Sequence, residues 1–426
     1  MSDKAFYISL LIFLGTYGLI IWEKVPRMVV AMTGGVLMIL LGFVSQETAI
    51  SQDIDFNTLG LLIGMMILVA IIRRTGVFEA VAIWAAGIAR GRPLRLLWLL
   101  AAITALASAF LDNVTTVLLI VPVTLTLTDK LRVNPVPFLI AEILAANIGG
   151  TATLIGDPPN IMIGSATGLG FNAFITHLAP VSIVVFLVAT GLLMVFYRHD
   201  LQGDEERRRN ILGLHFQDEI KDWRLLKKSL AVLTLTILGF VGHETLQLES
   251  ATIALAGAML LMVISREEPE DVLRHVEWPT IFFFVGLFVL VGGLKATGVI
   301  GELARWGLSI TQGRVMATSF LVLWLSALAS AFIDNIPFVA AMIPLLQEMG
   351  RISGLNLEPV WWSLVLGACL GGNGTLIGAS ANVVVAGIAE KNGLVIGFRQ
   401  YLKIAFPVML LTILISHGYI YWLYFR

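Results

Sequence analysis

Apolar residues come in long runs along this chain, separated by short polar breaks. Residues 6–22, 28–44, 178–197 and 404–425 approach or reach the ~17 to 25 residues that a helix needs to cross a bilayer. Runs at 59–72 and 229–241 are shorter and need flanking residues to span. The pattern predicts an all-α polytopic membrane protein. The first run passes straight into a second, so it reads as a retained span and not as a cleaved secretory signal.

The pattern repeats. With the chain shifted by 222 residues, LASAFLDN at 106–113 meets LASAFIDN at 328–335, and GGTATLIG at 149–156 meets GGNGTLIG at 371–378. Weaker points hold the same register: Gly35 with Gly257, Gly64 with Gly286, Thr75-Gly76-Val77 with Thr297-Gly298-Val299, Pro122 with Pro344, and Asn160 with Asn382. One constant offset at so many points predicts two homologous halves, 1–198 and 229–426. They are joined by a polar linker, 199–228, that contains GDEERRRN and is too charged to insert.

Each half reads as three ordinary spans, a short stretch, a long apolar segment broken in its middle, a span running into a glycine break, and a final span. The short stretch of the first half is TGVFEAVAIWAAGIARG, expected to lie flat in the membrane interface. The long segment, 96–128, is interrupted at Asp112-Asn113 and flanked by charge at both ends. Irregular backbone at membrane depth is tolerated where protein or water covers it. We therefore expect a re-entrant hairpin of two half-length helices with Asp112-Asn113 at its tip. Five crossings and one hairpin per half make the second half inverted, the plan of secondary transporters. With both termini outside and the linker cytoplasmic, 22 of the 28 lysines and arginines fall on the inner side, in keeping with the positive-inside rule. A multi-pass protein of the cell (inner) membrane is expected.

Composition narrows the function. Hydrophobic residues make up 58% of the 426, and charged ones only 13%, against roughly 25% in soluble domains. Cys369 is the only cysteine, which excludes a disulfide framework and a multi-thiol metal site. The six histidines show no ligand spacing, so no metal or other cofactor is expected. A formal net charge of −1 without a polybasic tail gives nucleic acid no electrostatic support. There is no GxxxxGK[ST] loop and no nucleophile–base spacing, so the chain does not read as an enzyme.

Polar groups at membrane depth are the functional candidates. In the first half they are Asp112, Asn113, Thr115 and Thr116 at the hairpin tip, Glu142 and Asn147 on the next span, then Thr151, Thr153, Asp157 and Asn160 around the break. In the second half they are Asp334, Asn335, Asn373, Thr375, Ser380 and Asn382. Gly149-Gly150 and Gly371-Gly372 are expected to release the backbone from helical geometry, and a broken span exposes N–H and C=O ends that hold anions and cations respectively. Alternatives stay open. Asp112 fits a helix N-cap as well as a lining group. Glu142, whose twin is Leu364, fits an ion pair or a proton carrier. Asp157, whose twin is Ala379, fits a turn or a coupling group. His177 is assigned no role.

The motifs SAFLDNVTTVLLIVPVTL with NIGGTATLIGDPPN, and SAFIDNIPFVAAMIPLL with LGGNGTLIGASANVVVAGIAEKNG, resemble the ArsB/P family of the ion transporter superfamily, which contains arsenite efflux permeases and the pigmentation P-protein. The resemblance implies two inverted repeats with a scaffold and a mobile part, commonly a homodimer, with solute held between hairpin tips and broken spans. Carried over residue by residue, it implies lining by Asp112, Asn113, Thr115, Gly150, Thr151, Asn160, Asp334, Asn335, Asn373, Thr375 and Asn382. Coupling candidates are Asp112, Asp334, Glu142 and Asp157. The expected activity is proton-coupled efflux of arsenite or antimonite, with a separate soluble ATPase as a possible partner. Sodium–proton exchange, transport of an organic acid or chloride, and a channel are the alternatives. The tips read Asp-Asn where the related dicarboxylate carriers have a Ser-Asn-Thr signature.

Overall fold

The structure, a computed structural model, describes residues 3–22, 24–201 and 215–426. Of the expected linker, residues 202–214 therefore lie outside the described residues. The helices of ten residues or more are, in the first half, α1 (Asp3–Trp22), α2 (Arg27–Leu40), α3 (Phe56–Arg73), α4 (Val77–Ala89), α5 (Pro93–Phe110), α6 (Asn113–Leu131), α7 (Val136–Thr151), α8 (Pro158–Thr167) and α9 (Phe171–Tyr197). In the second they are α10 (Trp223–Leu246), α11 (Ser250–Ser265), α12 (Trp278–Ala296), α13 (Val299–Thr311), α14 (Val315–Phe332), α15 (Asn335–Ser353), α16 (Glu358–Gly371), α17 (Ser380–Lys391) and α18 (Phe398–Tyr424).

The helix bounds keep the 222-residue register. α4, α5 and α6 begin and end 222 residues before α13, α14 and α15. Local chemistry explains why. Gly76 and Gly298 open the short helices α4 and α13 at φ of +76° and +83°, a conformation open to glycine at little cost. Asp112 and Asp334 then cap α6 and α15 by accepting backbone N–H bonds from Thr115 and Ile336.

The hairpin limbs are longer than the half-length helices the sequence suggested. α5 and α6 have 18 and 19 residues, roughly 27 Å each at 1.5 Å per residue, so either is long enough to cross a membrane by length alone. Their tip nevertheless meets the middle of the broken span. Ser108 donates to the Ala146 carbonyl at 2.7 Å, and the Thr153 hydroxyl donates to the Ala109 carbonyl. The same two bonds recur in the second half as Ser330 to Ala368 and Thr375 to Ala331.

The break also differs from expectation. α7 continues as a helix through Gly149 and Gly150 and ends at Thr151. These glycines serve close packing: a Cβ on Gly149 would run into the Ala105 backbone of α5, and one on Gly371 into the Ala327 backbone of α14. The irregular segment follows, and α8 begins after it at Pro158, whose missing N–H costs nothing in a first turn.

The halves interlock. α2 packs on α12 and α3 on α11, each contact joining one half to the other. One hydrophobic cluster, from Tyr17 to Ile420, draws on both. Tyr17 of α1 adds a polar link, its hydroxyl donating to the Pro337 carbonyl at the start of α15 at 2.6 Å.

Candidate functional site

Four helix starts converge on one cavity of about 350 Å³. The tip of the first hairpin contributes Asp112 and Asn113, and that of the second Asn335 and Ile336. The start of α8 contributes Asp157 and Pro158, and the start of α17 contributes Ser380. Arg27 at the start of α2 and Glu277 just ahead of α12 complete its polar wall, while Leu62, Met66 and Phe283 supply apolar surface.

The polar groups are cross-linked. Asn335 Nδ2 donates to both carboxylate oxygens of Asp157, at 3.1 and 3.3 Å, so the second hairpin tip is held to the first broken span. Asp157 thus does more than open a helix, and its side chain makes no cap bond of its own. Asp334 accepts from Arg27 Nη1 at 2.6 Å and from Ser380 Oγ at 2.5 Å. Asp112 stays local, accepting the Thr115 backbone N–H at 2.8 Å and the Thr115 hydroxyl at 2.5 Å. Asp112 is thus an N-cap of α6 and also borders the cavity. Thr115 faces a smaller neighbouring cavity with Arg73, His275 and Glu277.

Behind the cavity lies a layer of amides. Asn147 accepts from Asn113 at 3.1 Å and donates to Asn373 and Asn382, both at 2.9 Å. Asn160 donates to the carbonyls of Gly150 and Thr153, and Asn382, its twin, to those of Gly372 and Thr375. A buried carbonyl without a donor is costly, so these two amides hold the breaks open in a fixed shape. Cys369 donates to Asn160 Oδ1 at 3.3 Å. Thr151 bonds back to the Asn147 carbonyl within its own helix.

The sequence-named residues thus separate into two sets. Asp112, Asn113, Asp157 and Asn335 line the cavity, while Gly150, Thr151, Asn160, Asn373, Thr375 and Asn382 shape the breaks behind it. Asp334 meets the cavity through Arg27 and Ser380. Glu142 lies apart from both sets, bonded to Thr124. Two wall residues, Arg27 and Glu277, were absent from the sequence reading, where Arg27 counted only as an inner-side charge. Signals existed: the 222-residue twin of Glu277 is Asp55, an acid at both places, and the twin of Arg27 is Glu249, a reversal of charge.

A second cavity of about 350 Å³ lies at the other end of α12. Its Asp55, Met162, Phe288 and Ala340 are the offset partners of Glu277, Val384, Met66 and Leu118 in the first. Among the described residues no group of three or more histidine, cysteine or acidic side chains is placed to hold a metal ion.

Comparison with known proteins agrees with this architecture. A family model described as citrate transporter, CitMHS, matches residues 17–367. An uncharacterized transporter of Mycobacterium tuberculosis is 44% identical over 98% of each chain. The 46 kDa membrane protein of Mycobacterium leprae is 42% identical over 97% of this chain and 98% of its own. The human P protein is 36% identical over 97% of this chain, which spans 59% of the P protein. Two solved structures share the fold at low identity. The YdaH transporter of Alcanivorax borkumensis has a TM-score of 0.61 at 13% identity, covering 95% of this chain and 97% of YdaH. MtrF of Neisseria gonorrhoeae, described with a class of antimetabolite efflux pumps, has 0.64 at 12%, covering 92% and 85%. The chain belongs to the citrate transporter family and is a membrane secondary transporter, a transport protein and not an enzyme.

Proposed function

We propose that the chain is a proton-coupled transporter made of two inverted repeats, 1–198 and 229–426, joined by a cytoplasmic linker at 199–228. Solute occupies the cavity between the two hairpin tips. The excess of inner-side lysine and arginine supports both termini lying outside. The offset-related cavities at opposite ends of α12 suit a carrier whose two repeats alternate in opening.

The observation that carries the solute class is the charge of the wall. Asp112, Asp157 and Glu277 line the cavity, and the one lysine or arginine among its lining residues, Arg27, is hydrogen-bonded to Asp334. Any of these carboxyls that is ionised repels a free polyanion, and none repels a neutral hydroxylated acid or a monovalent cation. Export of arsenous acid or its antimony analogue in exchange for protons fits this wall, with hydroxyl, amide and backbone groups as partners. Sodium–proton exchange fits it equally in charge. The kinship with the P protein supports the ArsB/P reading.

A second reading has its own support. The family description names citrate, and the N-terminal ends of α8 and α17 reach the cavity at Pro158 and Ser380, where helix dipoles favour anions. Reconstituted vesicles loaded with a pH dye decide between them. Arsenite, antimonite, sodium, citrate and chloride are added in turn. Proton movement with arsenite supports the first reading, movement with sodium alone replaces it by cation exchange, and uptake of citrate establishes the second.

A further inference from the structure

Glu142 sits in the middle of α7 and is 1% exposed. Its Oε1 accepts from the Thr124 hydroxyl on α6, and its Oε2 has no protein hydrogen-bond partner among the described residues. Of the elements packed on α7, α5 carries Arg95, α6 Asp129 and Lys130, α9 His177, α16 Glu358, α17 Glu390 and Lys391, and α18 Arg399, Lys403 and His417. None of these pairs with Glu142. The buried Cys369 and Tyr401 are bonded instead to Asn160 and to the Asn373 carbonyl.

The repeat shows that the fold does not require this carboxyl. The offset partners of Thr124 and Glu142 are Leu346 and Leu364, both fully buried. In the second half the corresponding helices, α15 and α16, also pack on each other, with leucine at both of these positions. An ionised carboxylate without a cation is costly to bury. A neutral acid at the same place is far cheaper.

We propose that Glu142 is a proton-binding site of the transport cycle, set apart from the solute cavity. A proton adds to the carboxylate to give the neutral acid, and the acid returns that proton to water when the α6–α7 contact opens. The site has a mechanical route to the solute. α6 starts at the Asp112-Asn113 tip, and five residues beyond Glu142 on α7 stands Asn147, which joins Asn113 to Asn373 and Asn382. Loading or emptying Glu142 changes how tightly α6 is held to α7, and so biases the tip that faces the solute.

This inference rests on the proposed proton coupling, and two measurements separate the two ideas. Infrared difference spectroscopy on the protein in lipid reads the carbonyl band of a protonated carboxylic acid directly. At neutral pH the unaltered protein is expected to show a component of this band that is lost in Glu142→Gln. A band unchanged by the substitution, or missing from the unaltered protein, overturns the site. Vesicle assays then compare the unaltered protein with Glu142→Gln and with Glu142→Leu, which installs the residue of the second half. Both variants are expected to lose solute-linked proton movement and to exchange solute with a flat pH profile. Thr124→Val is expected to shift that profile without flattening it. Solute-linked proton movement retained in both Glu142 variants overturns the coupling role. If the unaltered protein moves no protons with any solute, proton coupling itself fails, while the infrared band still reports whether Glu142 holds a proton.

Discussion

Arg27 Nη1 lies 2.6 Å from Asp334 Oδ2, so the start of α2 is tied to the tip of the second hairpin, more than 300 positions along the chain. Removing one partner of a buried pair costs about 3–5 kcal/mol, and the quarter of the Arg27 side chain that stays exposed brings the figure below that range. Asp334→Asn should lower the melting temperature in detergent. The double variant with Arg27→Gln should recover part of the loss, because no unpaired charge then remains. Equal melting of the single and double variants would show that the pair contributes nothing.

Asp157 and Asn335 make a second tie, between the first broken span and the second hairpin. Hydrogen bonds to charged groups are worth about 1.5–3 kcal/mol. Asp157→Ala and Asn335→Ala should therefore be non-additive by about that amount in a double-mutant cycle of unfolding. Asp157→Ala should still fold, since alanine stands at the matching position 379. Strict additivity would mean that the two side chains do not interact in the membrane.

The glycines differ in kind. Gly149→Ala pushes a methyl group into the Ala105 backbone, and overpacking of this sort costs about 1–3 kcal/mol. Gly87→Ala in α4 meets nothing within 4 Å and should stabilise by about 0.5–1 kcal/mol through helix propensity. Thermal unfolding of the two variants side by side checks the contrast. A Gly149→Ala protein as stable as the parent would rule out the close approach of α5 and α7.

The orientation is open to a labelling test. Cys369, the only cysteine, is fully buried and gives a quiet background. Gln217→Cys, at the described end of the linker, should react with a membrane-impermeant thiol reagent only after permeabilisation. Ser353→Cys, at the exposed end of α15, should react in intact cells. The reverse pattern would turn the whole topology over.

The sequence by itself determined the helical membrane class, the 222-residue register and the breaks at Asp112-Asn113 and Asp334-Asn335, though not that α7 runs on through Gly149 and Gly150. These properties are local: hydrophobic run length sets a span, an aspartate before a helix caps it, and a duplicated segment repeats the same choices. Asp112 and Asp334 were legible as caps for that reason. What only the tertiary structure decided was which polar groups meet. Arg27 and Glu277 gained their place in the cavity wall from α2 and α12, which approach it by packing across the halves. Asp157 and Asn147 find hydrogen-bond partners up to 235 residues away. Even the break glycines were placed by the sequence and explained only by packing, since their missing Cβ makes room for a neighbouring backbone. Chain pattern records what each segment does alone, whereas a site held between two interlocked repeats depends on distances that no run of residues encodes.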